Sequence, residues 1–281
     1  DYGTENYEVS INGVITYTGD MIIENDLDVS TCDLIVSGFL DIGGGRLKAK
    51  NVTADGIFVR SLSLLKVSEN VKATTSGFGI GSGSTMEVEG DVIGINSEVG
   101  SYSYGISLGC DVQVNVVGKI EGYGNTSGVY FDCLDNTRSI NISATEIIGI
   151  GTQYGVYGAM DVDGFTLTAN SITGKGDIYG IDFSNDGNTS GVTFNIPNIY
   201  YCKNYSIIDV IVNGTFKCAS GCACDCSADS TICTGETPQC DATNHVCTAC
   251  SAETPVWDAV NKKCVACANG TYWNGTSCGT L

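Results

Sequence analysis

The side chains with the most chemistry to do are cysteines, fifteen of them in 281 residues. Paired, they are cross-links; left as thiols in a reducing cytosol, they would be reactive and unproductive. Four lie in residues 1–217 (Cys32, Cys110, Cys133 and Cys202), and eleven crowd into residues 218–281. From Cys218 the spacing runs C-x3-C-x-C-x-C through Cys222, Cys224 and Cys226. Three x6 gaps follow to Cys233, Cys240 and Cys247, and then Cys250, Cys264, Cys267 and Cys278. A segment this short with few large apolar side chains cannot hold itself together by burial, so disulfides worth ~2–4 kcal/mol each are expected to staple it. The pairs Cys247/Cys250 and Cys264/Cys267 also fit a four-cysteine zinc spacing; beside seven further tail cysteines, disulfides are the preferred reading. Cys110 and Cys133 are expected to bridge adjacent structural units. An odd total leaves at least one thiol free or shared with another chain, and the sequence does not say which.

Other reactive constellations are sparse. Asp161 with Asp163 and Asp182 with Asp186 present carboxylates of the kind a glycoside hydrolase pairs, but aspartates in turns commonly cap the backbone. His245, the single histidine, sits among the tail cysteines without a nucleophile motif, which leaves triad chemistry unsupported. Basic residues are few, and none recurs beside an acidic pair, so no cleft for a polyanion emerges. A Thr-x-Thr ladder for ice would have to repeat, and only Thr166/Thr168 offers a rung. Eight Asn-x-Ser/Thr sequons occur, at Asn51, Asn125, Asn141, Asn188, Asn204, Asn213, Asn269 and Asn274; they are candidate N-glycosylation sites in a eukaryotic secretory pathway. Asn141, between apolar Ile140 and Ile142, is expected to point outward. Tyr102, Tyr104, Tyr130, Tyr154, Tyr157, Tyr179, Tyr200 and Tyr201 are candidates to stack on sugars, to form a subunit contact or to ladder along the molecule.

The elements that position these residues repeat. The anchors are Phe78-Gly79-Ile80, Tyr104-Gly105-Ile106, Ser127-Gly128-Val129, Tyr154-Gly155-Val156 and Tyr179-Gly180-Ile181. Their glycines recur at a near-constant interval, and a fixed period of this size signals stacked supersecondary units. After each copy comes an alternating segment: Met86/Val88, Val112/Val114/Val116, Ile140/Ile142, Phe165/Leu167 and Val192/Phe194. Alternation means one buried face. A third short segment carries Ile93-Gly94, Ile120 with Gly122 and Gly124, Ile148 with Gly149 and Gly151, and Ile172 with Gly174 and Gly176. Three strands per unit follow. Positions 26–73 show the same pattern in shorter units, with pairs Leu27/Val29, Leu34/Val36, Leu40/Ile42, Leu47/Ala49, Ile57/Val59 and Leu62/Leu64. Helical spacing of apolar residues is absent.

Over positions 10–215 this periodicity resembles that of the right-handed parallel β-helix, pectin-lyase-like superfamily. The resemblance implies an all-β fold with roughly 25 residues and three short strands per coil, followed by the small disulfide-rich tail. Many members of that superfamily cleave acidic polysaccharides, and that chemistry is the least favoured reading here, since its paired partners are not identifiable. The run from Cys264 to Cys278, with Tyr272-Trp273-Asn274-Gly275 inside it, resembles cysteine-rich repeats of protist and bacterial surface antigens. The expected organisation is a cap or subunit-pairing segment at 1–20, the β-helix at 21–217 and the stapled domain at 218–281. Eight to ten coils, each advancing ~4.8 Å, would stack into a rod with two open edges.

Thirty-seven glycines, three prolines and a net charge of −19 complete the reading. The charge repels polyanions, so nucleic acid is not expected as a partner, and no apolar run is long enough to span a membrane. The chain begins at Asp1 without Met, which is read as a processed N-terminus or as a precursor whose first residues are absent. The expected function is a non-enzymatic, secreted, glycosylated structural subunit whose partners are copies of itself in a surface filament or coat. The alternative is a monomeric adhesin for carbohydrate or a host surface. No cofactor or metal is expected.

Overall fold

The computed structural model describes residues 7–9, 13–98, 103–133, 139–160, 164–185, 192–220, 222, 224, 239–241, 246–248, 250–251, 254, 256–258, 263–267, 271–273 and 278–280. Among them are strands and turns and no α-helix. The chain divides into two units, Asp1–Thr215 and Phe216–Leu281.

The first unit is a parallel β-helix. Each coil contributes one short strand to each of three stacks, and every strand pairs in parallel with its counterparts in the coils before and after. The first stack begins at Val14–Tyr17 and ends in the last residues of Val192–Tyr201. The second begins at Met21–Ile23 and ends at Tyr205–Ile208. The third begins at Leu27–Val29 and ends at Ile211–Cys218. Tyr7–Val9 folds back antiparallel on Val14–Tyr17, which covers the outer edge of the first stack. The coils come in two sizes. In the early ones Val52 lies beside Val71, whereas further on Val92 lies beside Ile120, a step about half as long again.

Alternation along the strands sends one file of side chains inward and one outward. Inward files such as Leu47, Leu65, Met86 and Val114 are at most 1% exposed. Where the coils widen, phenylalanines fill the extra volume. Phe131 packs on Phe165 and on Phe183 at 5.5 Å, and Phe194 meets Phe183 edge-on at 4.6 Å. Gly158 lies between Phe131 and Phe183 in the ladder, and its missing side chain lets those two rings meet across it.

The turn from first to second stack is flattened. A side chain at Gly122 would collide with the carbonyl of Gly128, one at Gly149 with Gly155, and one at Gly174 with Gly180. The two strands of a coil therefore touch backbone to backbone there, and only glycine on both sides permits it.

Three sequence assignments shift. Gly79 does not belong to the glycine file, because Phe78 rather than Gly79 sits next to Ile106. Ile93 and Ile148 are one position out of phase, and the inward positions are Val92 and Ile147. Leu62 is 81% exposed, held in a turn at φ 64°, so the inward pair of that coil is Leu65/Val67 rather than Leu62/Leu64.

Among its described residues the second unit contains three short antiparallel hairpins: Gln239–Asp241 with Val246–Thr248, Val256–Asp258 with Lys263–Val265, and Thr271–Trp273 with Cys278–Thr280.

Candidate functional site

Outward residues of the second stack assemble a tyrosine file. Tyr104 stacks on Tyr130 with ring centres 4.2 Å apart, Tyr130 on Tyr157 at 5.4 Å, Tyr157 on Tyr154 at 4.5 Å, and Tyr154 on Tyr179 at 6.2 Å. All five are half-buried. The inner rings lie between neighbours on both sides, so the file offers ring edges and hydroxyls outward rather than open ring faces. Of the other tyrosines, Tyr201 is core, at 0% exposed, with its ring edge-on to Tyr205. Tyr200 is half-buried on the first stack, and Tyr102 lies outside the described residues.

Two carboxylates border this file. Tyr130 donates to Asp132, and its phenol is pushed up by burial first, then by the Asp132 charge and the adjoining Tyr104 and Tyr157. Asp182 lies next to Tyr157 in the ladder. Burial raises its carboxyl above the usual carboxylate range, against a hydrogen bond from Ser206 that lowers it. The neighbours of Asp182 in its own file are thus a tyrosine and a serine. Asp161, Asp163 and Asp186, the other members of the suggested carboxylate pairs, lie outside the described residues, as does His245. Elsewhere, Glu121 takes hydrogen bonds from Lys119 and Tyr123. Among the described residues no three His, Cys, Asp or Glu side chains converge as a metal-binding cluster.

The cysteines resolve further. Cys110 and Cys133 are bridged across adjacent coils, Cys218 to Cys224 and Cys250 to Cys264. Cys202, Cys222 and Cys267 are also disulfide-bonded. With Cys250, Cys264 and Cys267 in disulfides, three of the four thiolates that the zinc spacing would supply are engaged. Cys32 is a free thiol, partly exposed. The side chains of Cys226, Cys233, Cys240, Cys247 and Cys278 lie outside the described residues. Bridges in both units imply formation in an oxidising compartment.

The sequons differ sharply in what their amides already do. Asn141 is exposed between Ile140 and Ile142, which are 0% and 2% exposed. Asn213 is exposed and donates to Asn195, Asn125 donates to the carbonyl of Glu98 at 2.6 Å, and the Oδ1 of Asn204 accepts from the Tyr205 amide. Asn51 is fully engaged. Its Nδ2 donates to Asp33 at 2.8 Å and to Glu69 at 2.7 Å, while its Oδ1 accepts from the Asn70 amide at 2.9 Å. Asn70 repeats the motif toward the Asp91 amide at 2.9 Å, and Asp91 toward the Lys119 amide at 2.9 Å. This Asp33–Asn51–Asn70–Asp91 ladder, invisible to pattern reading, satisfies one corner's backbone groups coil after coil. Asn188, Asn269 and Asn274 lie outside the described residues.

The fold is therefore a three-stack parallel β-helix joined to a small disulfide-bonded unit. No family model, curated protein or solved structure matches this chain.

Proposed function

We propose that this chain is a non-enzymatic extracellular surface protein whose β-helix works as a rigid, monomeric rod displaying ligand-binding faces. The observation that carries this reading is the first coil. Its strand Met21–Ile23 and the adjoining Leu27–Val29 have no strand on their outer side among the described residues. Such an edge invites pairing with another chain. Around it stand Asp20, Glu24, Asp26 and Asp28, all exposed, in a chain carrying −19. Inserting a second copy would bring like charges together, the device by which natural sheets refuse edge-to-edge growth. The coil architecture supports kinship with pectin-lyase-like β-helices, and the tail spacing supports kinship with cysteine-rich surface-antigen repeats. The sequons support glycosylation.

Exposed Ile22 on that same edge, at 58%, favours the second reading, a self-assembling filament or coat subunit. Negative-stain electron microscopy and sedimentation velocity of the non-reduced protein over a concentration series separate the two. Dispersed short particles of constant mass near 29.3 kDa plus any glycan support the monomeric reading. Regular fibrils overturn it in favour of assembly.

A further inference from the structure

The outward face of the third stack changes character along the rod. In the early coils it is ion-paired: Lys48 with Asp28 at 3.1 Å and Lys66 with Glu87 at 2.6 Å. Beyond Glu87 the charges stop. The ladder continues as Asn115, Ser143, Thr168 and Asn195 in one file and Gln113, Asn141, Thr166 and Thr193 in the other. Four successive coils thus present only amides and hydroxyls, in a chain with 13 basic and 32 acidic residues. The side chains of Gln113, Asn115, Asn141, Ser143 and Thr168 are exposed and that of Thr166 is half-buried, so this face is turned to solvent.

Along the edge of this face runs a groove of about 370 Å³. Asn115, Ser143 and Thr168 form one wall and Thr145 with Asn170 the other. The groove's apolar surface is Val117, 61% exposed, while Val116, Ala144 and Ala169 lie buried beneath it at 4%, 8% and 4%. No lining residue is charged. The companion groove on the first stack, about 450 Å³, is by contrast lined by Asp33, Asp91 and Lys72.

We infer that the third-stack groove and its two polar files bind an extended neutral polysaccharide lying along the rod. A sugar chain offers hydroxyls at every residue to pair with one amide or hydroxyl per coil, and apolar ring faces to rest against exposed Val117 at the groove's edge. Strands set the coil rise at ~4.8 Å, so the contacts repeat at a spacing suited to a polymer rather than to one small molecule. Net charge −19 repels uronate or sulfated chains, and neutrality of the groove provides nothing to overcome that. The sequon at Asn141 lies in the middle of the face, so an N-glycan there occupies the site itself. This assignment deepens the ligand-displaying reading above and rests on it.

The test uses the full oxidised chain made in a bacterial periplasm, free of N-glycans, with cellohexaose, chitohexaose and mannohexaose as probes and polygalacturonate as the anionic comparison, followed by calorimetry. At least one neutral hexasaccharide should bind and polygalacturonate should not. Ser143→Ala with Thr168→Val, both outward and therefore harmless to the core, should weaken binding about tenfold through two lost hydrogen bonds. Thr53→Val in the companion groove should leave it unchanged. Chain glycosylated at Asn141 in a glycosylating host should lose the binding that the unglycosylated chain shows. Absence of binding to all three neutral probes, or equal binding by the Ser143/Thr168 variant, overturns the inference. Sedimentation of the same samples keeps the two proposals apart: a monomer that binds nothing sinks only this one, and fibrils sink only the monomeric reading.

Discussion

Gly155→Ala is the sharpest perturbation of the coil. A methyl group at residue 155 would lie 2.5 Å from the Gly174 carbonyl carbon and 2.6 Å from the Gly180 oxygen, and closer still to the Lys175 nitrogen. Ordinary contact needs roughly a further 1 Å from each, and every atom in the way is backbone. Lys175 and Gly180 are both held in parallel strands, so no side chain can rotate aside. Overpacking a tight site costs ~1–3 kcal/mol, and the absence of a flexible neighbour puts this substitution near the top of that range. For a unit of this size, ~3 kcal/mol lowers the melting temperature by roughly 6–12 °C. The control is Gly43→Ala, where the nearest atom is 4.0 Å away and the expected change is within ~0.5 kcal/mol. Thermal unfolding followed by circular dichroism on both variants decides. Equal melting temperatures would refute the claim that the first-to-second turn must be flat.

Further outcomes follow from the same contacts. Phe183→Ala removes a fully buried ring from the four-phenylalanine cluster and should cost ~3–5 kcal/mol, read by denaturant unfolding. Asp182 has a folded-state carboxyl raised above its ordinary value, so the folded state holds its proton more tightly and this residue's contribution to stability declines as pH rises from about 4 toward neutrality. Asp182→Asn should therefore melt higher than the parent at pH 7, with the gap closing on acidification; a gap constant with pH would remove burial as the cause. In protein secreted from a glycosylating host, glycopeptide mapping should find Asn51 bare, because a glycan would displace its bonds to Asp33 or Glu69, whereas Asn141 is open to modification. Full occupancy of Asn51 in folded protein would contradict the ladder.

Much of the coil is legible in the sequence because burial writes itself locally. Val114/Val116 and Ile140/Ile142 alternate, and alternation on a strand has one physical reading. The departures come where phase depends on a turn. Leu62 looks like the start of an inward pair, yet its positive φ throws it outward and moves the true pair on to Leu65/Val67. Gly79 matches the aromatic-glycine-aliphatic repeat in residue type but not in register, since stacking aligns residues through ladder bonds that a motif cannot see. The Cys110–Cys133 bridge is legible because one coil separates the two residues. The bonding of Cys202 is not, since no repeat marks it. The asparagine ladder and the neutral face are hidden for a shared reason: each joins residues one coil apart, and neither polar residue alone departs from ordinary surface composition.

The bridge between Cys110 and Cys133 also fixes how the rod would respond to being pulled. Coils of a solenoid come apart one at a time, each in contact only with its neighbours. Tension applied through the ends would peel the small early coils, such as that from Val52 to Val71, in short steps and the later ones, such as that from Val92 to Ile120, in longer steps. The 23-residue loop closed by this bridge is bypassed. Force passes through the sulfurs instead, and roughly 80 Å of contour length, at ~3.5 Å per residue, is never released. One turn in the middle of the rod is thereby exempt from extension for as long as the sulfurs stay oxidised.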